Sequence, residues 1–290
     1  MKTIKYQIFF FISAMILISF TSCNDTKTND SPKQTNKITE DQVDTTSETS
    51  ETLTDSLQPK KITFRLIRTF KHDKEAFTQG LLYSGGFLYE STGLNGKSSI
   101  RKINYKTGEI VKDVKFQYEY FCEGLELVND KFYLLTYKSG LCLTFDKNLK
   151  INEELFEYSG EGWGLTYDGE YLIKSNGTNI LEFISIYGFF INKKLNLKDE
   201  YGNPLFYVNE MEYINGKIWA NIWGSGSIVI INPTTGIVEQ RFDFSDLIEK
   251  QNNKVTADVL NGIAYIKENN SIILTGKNWD TFFEYKIIEE

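Results

Sequence analysis

One phrase recurs five times along the chain: a small residue, an apolar pair, a turn, then a longer apolar and aromatic run. It reads Gly80-Leu81-Leu82-Tyr83 with Phe87-Leu88-Tyr89, then Gly124-Leu125-Glu126-Leu127 with Phe132-Tyr133-Leu134-Leu135. It returns as Gly164-Leu165-Thr166-Tyr167 with Tyr171-Leu172-Ile173, as Met211-Glu212-Tyr213-Ile214 with Ile218-Trp219-Ala220, and as Gly262-Ile263-Ala264-Tyr265 with Ile272-Ile273-Leu274. The spacings are 44, 40, 47 and 51 residues. Each of the first four repeats carries two further strand-like runs; in the first these are Ser99–Asn104 and 109–115, around the turn Lys106-Thr107-Gly108. Four strands per repeat of this length mark a propeller blade. The expectation is an all-β, five-bladed β-propeller with four-stranded blades. The fifth repeat supplies three strands, ending with Phe282–Ile288. Ile62–Phe70, which has no partner of its own, is expected to complete that blade and close the ring, leaving no open blade edge. A single short helix is expected near Asp246–Lys250.

Composition agrees with strands. The 290 residues hold 21 Phe, 17 Tyr and 4 Trp against 4 Pro and 3 Met, a bias toward pleated, half-buried surfaces. A formal charge of -7 argues against a nucleic-acid partner held by phosphate neutralisation. With His72 the only histidine, a three-His zinc site cannot be built, and a His-based triad would have to run through it.

The amino terminus reads as an address. Lys2 and Lys5 precede an apolar run of 13 residues, Ile8 to Phe20, too short to span a bilayer comfortably. Phe20-Thr21-Ser22-Cys23 follows, similar to a bacterial lipobox. Residues 1–22 are expected to be a signal peptide and Cys23 the lipidated first residue of a periplasmic, membrane-anchored protein. In 24–60 the aliphatic residues are Ile38, Val43, Leu53 and Leu57, too few to offset the entropy of ordering. The expected layout is a tether over 23–60 and the propeller over 61–290.

Blade topology locates the working face. The innermost strand starts at one end of the axis and the second strand returns there. Residues before first strands and after second strands therefore meet around one mouth. Before first strands stand Phe77-Thr78-Gln79, Phe121-Cys122-Glu123, Glu161-Gly162-Trp163, Asn209-Glu210 and Asn261. After second strands stand Glu90, Tyr137-Lys138, Lys174-Ser175-Asn176, Trp223 and Lys277-Asn278. Aromatic, amide, carboxylate and ammonium groups around one funnel suit a small polar group held between apolar walls.

These motifs resemble the plant and bacterial type of glutaminyl-peptide cyclotransferase, a five-bladed propeller family. The resemblance runs over residues 62–288. It is carried by Phe77-Thr78-Gln79-Gly80-Leu81, Tyr89-Glu90-Ser91-Thr92-Gly93, Phe121-Cys122-Glu123-Gly124, Glu161-Gly162-Trp163-Gly164-Leu165, Asn209-Glu210-Met211-Glu212-Tyr213, Trp219-Ala220-Asn221-Ile222-Trp223, Val259-Leu260-Asn261-Gly262-Ile263-Ala264 and Leu274-Thr275-Gly276-Lys277. It implies Glu123 as catalytic acid and base, and Phe77, Gln79, Phe121, Trp163, Asn209, Trp223 and Lys277 at pocket positions. Two departures stand out: Cys122 replaces a usual Gly, and Tyr137 replaces a usual Trp.

The implied substrate is a peptide or protein beginning with glutamine, whose α-amine attacks its own γ-carboxamide and expels ammonia. Aromatic walls fold the side chain toward attack. Glu123 relays the proton, and Lys277 and Asn209 face the oxyanion. No cofactor or metal is implied, and a monomer is expected. Two other readings stay open. In one, Glu90 or Glu123 with Asn176, Asn209 and Asn261 cages a divalent cation, as in a propeller lactonase. In the other, the chain is a silent lipoprotein that binds peptides or glycans. Cys122 and Cys142 are expected to be free thiols, His72 a loop residue, and Glu90, Glu161, Glu210, Glu212 and Asn261 supporting groups.

Overall fold

The computed structural model describes residues 61–116 and 120–290. The expected signal peptide, Cys23 and the tether lie outside the described residues. β1 (Ile62–Lys71) is followed by the first blade, β2 (Thr78–Ser84), β3 (Phe87–Thr92), β4 (Ser99–Asn104) and β5 (Ile110–Lys115). The second is β6 (Cys122–Val128), β7 (Lys131–Thr136), β8 (Leu141–Asp146) and β9 (Ile151–Glu157); the third is β10 (Leu165–Tyr167), β11 (Tyr171–Lys174), β12 (Ile180–Ser185) and β13 (Ile191–Asn196). The fourth is β14 (Val208–Ile214), β15 (Lys217–Ile222), β16 (Ser227–Ile231) and β17 (Val238–Asp243). The last three strands are β18 (Leu260–Ile266), β19 (Ser271–Gly276) and β20 (Thr281–Glu289). The first four blades are antiparallel four-stranded sheets in chain order. The fifth has the order β1-β20-β19-β18, with Ile62 opposite Glu289 and Lys71 opposite Thr281. The amino-terminal strand thus closes the ring. The expected short helix is a 3-10 turn at Ser245–Lys250, joined by a second at Lys267–Asn269.

Strand alternation explains why each blade reads as nearly continuous apolar sequence. Leu82 and Tyr89 of the first blade pack with Leu125, Phe132 and Leu134 of the second, whereas Leu81 and Leu88 pack with Ala264, Ile273 and Phe282 of the fifth. The same division recurs at the other three junctions. The core is therefore five slabs between blades, and each blade is buried on both faces.

Near the axis the inner strands come too close for side chains. A Cβ on Gly124 would meet Leu165 N at 2.5 Å, and one on Gly164 would meet Asn209 O at 1.9 Å. Four blades have glycine at this register, Gly80, Gly124, Gly164 and Gly262, and the fourth has Glu210. Its carboxyl crosses the axis, accepting hydrogen bonds from Leu81 N at 3.3 Å and Ile263 N at 2.8 Å. One side chain so links the fourth blade to the first and the fifth.

A second link lies at the closure. His72 follows β1 outside any strand, yet it is 2% exposed. Its Nε2 meets Glu90 Oε1 at 2.9 Å, and its Nδ1 meets Thr275 Oγ1 at 2.9 Å. Thr78 donates to the same Glu90 oxygen at 2.7 Å, and Arg101 stands 3.7 Å from the other.

Candidate active site

At the mouth, four blades use one hydrogen bond to seat their edge residues. Gly93 donates to Phe77, Tyr137 to Phe121 and Trp223 to Tyr207 at 2.8 Å, and Lys277 donates to Val259 at 2.9 Å. Tyr137, Trp223 and Lys277 each stand one residue beyond a second strand. Phe77, Phe121 and Tyr207 each stand two residues before Gln79, Glu123 and Asn209. Spacing of two returns a side chain to the same face, so the first, second and fourth blades each offer an aromatic ring and a polar group together, while the fifth has Val259 in the aromatic position.

These groups enclose one cavity of about 360 Å³, lined by Phe77, Gln79, Phe121, Glu123, Tyr137, Trp163, Tyr207, Asn209, Trp223 and Lys277. All nine residues singled out in the sequence for catalysis and substrate binding line it. Tyr207 was missed. The spacing that picked out Phe77 and Phe121 would have found it, but the extra residues before the fourth blade hid the register. The rings form two walls: in one, Trp163 meets Trp223 at 6.2 Å and Trp223 meets Tyr207 at 6.0 Å; in the other, Phe121 meets Tyr137 at 5.6 Å and Phe77 edge-on at 6.1 Å. Gly93 makes room for this wall, because a Cβ there would strike the Phe121 ring at 2.5 Å.

Glu123 is 5% exposed and Lys277 is 4% exposed. Ser91 anchors the Glu123 carbonyl through a 2.5 Å hydrogen bond. Burial pushes the Glu123 carboxyl well above the usual carboxylate range; Lys277 opposes this and Glu161 adds to it. Burial likewise lowers Lys277, with Glu123 opposing. The Lys277 ammonium lies 4.8 Å over the Phe77 ring. Asn261 Nδ2 donates to the Thr78 carbonyl at 2.9 Å and to Gln79 Oε1 at 3.3 Å. That bond fixes the Gln79 amide so that its N–H donors remain for the cavity. Asn209 Oδ1 is buried without a partner among the described residues.

The remaining mouth candidates take other places. Glu90 does not face the cavity: β3 continues to Thr92, so alternation turns Glu90 with Leu88 toward the fifth blade, where His72 holds it. Lys174 is buried against Glu182 at 2.9 Å. Asn176 accepts hydrogen bonds from its neighbour Thr178, and Asn261 lies behind Gln79. Of the carboxylates and amides invoked for a cation cage, Glu123 and Asn209 share the cavity while Glu90, Asn176 and Asn261 are engaged elsewhere, so the cage is not assembled and the lactonase reading is not favoured. Cys122 and Cys142 are buried free thiols, as expected, and burial raises both far above the usual thiol range.

The glutamine cyclotransferase family model matches residues 39–287. That match begins inside the segment read as tether. A glutaminyl-peptide cyclotransferase of Arabidopsis thaliana is 36% identical over 227 residues, covering 77% of this chain and 70% of its own. The crystal structure of a Myxococcus xanthus glutaminyl cyclase superposes with a TM-score of 0.72 at 33% identity, over 80% of this chain and 99% of the other.

Proposed function

The chain belongs to the glutamine cyclotransferase family, and we propose that Glu123 carries the proton traffic of its reaction. That reaction converts the amino-terminal glutamine of a peptide or protein to pyroglutamate with release of ammonia. The α-amine attacks the γ-carboxamide carbon, a C–N bond forms, and the carbonyl becomes an oxyanion. The C–N bond to the carboxamide nitrogen then breaks as ammonia leaves. The amine loses one proton and the leaving nitrogen gains one, so a single group can accept the first and supply the second.

The observation that carries this reading is a buried carboxyl of raised proton affinity lining an aromatic cavity. A carboxyl that holds a proton more firmly than usual is a better base toward an amine and remains an adequate acid. Nucleophile and electrophile belong to one residue, so most of the acceleration must come from holding the side chain folded. Phe77, Phe121, Tyr137, Trp163, Tyr207 and Trp223 supply the walls for this. The Gln79 and Asn209 amides and the Lys277 ammonium offer donors to the oxyanion. All these groups come from one chain, which supports a working monomer.

Incubating the 61–290 domain with a Gln-initiated peptide tests this reading by mass spectrometry. Loss of ammonia is expected, and it should be abolished by acetylating the peptide's amine. Turnover of the acetylated peptide would refute the mechanism.

We also propose that the mature chain begins at Cys23 and is lipid-anchored in the bacterial envelope. The charged start, the apolar run and Phe20-Thr21-Ser22-Cys23 support this. Cys23→Ser should move the protein from the membrane to the soluble fraction with unchanged activity. Continued incorporation of labelled fatty acid would refute it.

A further inference from the structure

Glu161 stands just outside the cavity, yet it holds two of its walls. Its Oε2 accepts the Trp163 indole N–H at 2.9 Å. Its Oε1 lies 3.4 Å from Lys138 Nζ, and the Lys138 ammonium lies 4.7 Å over the ring of Tyr137. The backbone is gripped as well: the Glu161 carbonyl accepts a hydrogen bond from Lys174 Nζ at 3.2 Å. Lys174 is itself fixed by Glu182, which Lys194 joins at 3.1 Å. The carboxylate thus has a settled position, with one oxygen on each wall.

We propose that the Glu161–Lys138 pair is a positioning clip of the active site, fixing the Trp163 and Tyr137 walls and balancing the charge that Glu123 feels from outside the cavity. The second half of this rests on the reading of Glu123 as the proton relay; the first half does not. The charged and titratable groups facing Glu123 are Lys277, Glu161, Tyr158 and its neighbour Cys122. Burial raises Glu123 and Lys277 opposes it, while Glu161 adds to the rise from the adjoining blade. Lys138 Nζ lies 3.4 Å from Glu161 Oε1, where it offsets part of that negative charge. Each partner of the clip should therefore move Glu123 in the opposite sense when removed.

Three variants separate wall from charge. Glu161→Gln retains an acceptor for the Trp163 indole but loses the charge. Its KM should stay within about 2-fold of the parent, while the acid limb of kcat/KM against pH moves to lower pH. Lys138→Met leaves Glu161 uncompensated, and the same limb should move to higher pH. Glu161→Leu loses the acceptor too, and KM should rise roughly 10-fold with a smaller change in kcat. Gln then rescues KM but not the pH shift. The side chains of Glu161 and Lys138 are 34% and 67% exposed, so these proteins are expected to fold, and equal melting temperatures would establish it. Shifts in the same direction for Glu161→Gln and Lys138→Met, or none, would overturn the charge-balancing role. An unchanged KM in Glu161→Leu would overturn the wall-holding role. If Glu123→Gln retained turnover, the relay reading itself would fail, and the KM measurements would still decide the wall-holding role.

Discussion

Glu90 and Glu123 sit on neighbouring blades, both buried, and their surroundings move them in opposite directions. Burial by itself would raise Glu90, but the His72 ring, Arg101 and Thr78 outweigh it and hold that carboxyl below its usual range. Burial also dominates Glu123, and Lys277 only opposes it in part. Depth alone does not distinguish a structural acid from a reactive one; what surrounds the carboxyl does, for Glu90 Oε1 is shared by His72 and Thr78 while Arg101 stands 3.7 Å from Oε2. Glu90 is spent on joining the last blade to the first. Glu123 has its carbonyl tied by Ser91 and its carboxyl turned to a cavity that a substrate can enter.

The sharpest way to break this contrast is to delete each carboxyl. Glu90→Leu leaves the His72 ring and the Thr78 hydroxyl without their shared acceptor in the closure, while Arg101 keeps Asp73 at 3.0 Å. It should cost about 1–3 kcal/mol of stability for each buried polar group left unsatisfied. A urea midpoint unchanged from the parent would remove Glu90 from the closure. Turnover per folded molecule should survive. Glu123→Gln should do the reverse, lowering kcat by roughly 100-fold or more while leaving the fold intact. Near-normal turnover in the folded variant would take Glu123 out of the mechanism.

Acidity sharpens the same contrast with opposite signs. The folded value of Glu90 lies below the unfolded value of about 4.3. Its contribution to stability is therefore present above that unfolded value and is lost as pH falls through the folded one. For Glu123 the folded value is raised, so its contribution is full below the unfolded value and is lost as pH rises through the folded one. Melting temperatures across pH should show Glu90→Leu approaching the parent in acid. Glu123→Gln should gain on the parent as pH rises. A Glu123→Gln curve parallel to the parent would mean that ionising Glu123 costs the fold nothing.

The smallest expected effect concerns a wall rather than an acid. Tyr137 offers a smaller ring than Trp, and an aromatic contact is worth about 0.5–1.5 kcal/mol beyond area. Tyr137→Trp should shift the preference between Gln-Phe and Gln-Ala substrates by roughly 2- to 12-fold, with the lactam-forming step nearly unchanged. An unaltered ratio of specificity constants would show that Tyr137 does not meet the second residue.

The ring was legible because its information is local. Repeats such as Gly80-Leu81-Leu82 and Gly262-Ile263-Ala264 state where inner strands lie, and the unpaired Ile62–Phe70 states how the circle closes. The cavity followed because strand ends converge by topology. Two kinds of information were not local. A strand end misplaced by an odd number of residues reverses a side chain, since the period is two; the strand read as ending at Tyr89 runs on to Thr92, so Glu90, placed at the mouth, turns instead to the fifth blade. Partners distant in sequence leave no pattern at all. Thr275 and His72 are 203 residues apart, and the buried bond between them is what makes His72 more than a loop residue. Glu161 was legible as a supporting group, but which wall it supports was not, because a bond to an indole two residues away depends on rotamers, not on order along the chain.

The pairing of β1 with β20 also sets an order of events during synthesis. Each of the first four blades is complete once its own four strands have emerged, so its hairpins can form beside the ribosome. Ile62 must wait for Glu289, made 227 residues later. Contacts between such distant residues are slow to form, because the intervening chain must be organised first. Until then β1 is an open edge that can add to a strand of another molecule. Since β20 is hydrogen-bonded to both β19 and β1, a chain stopped before Thr281 leaves β1 without its partner and β19 without its outer neighbour.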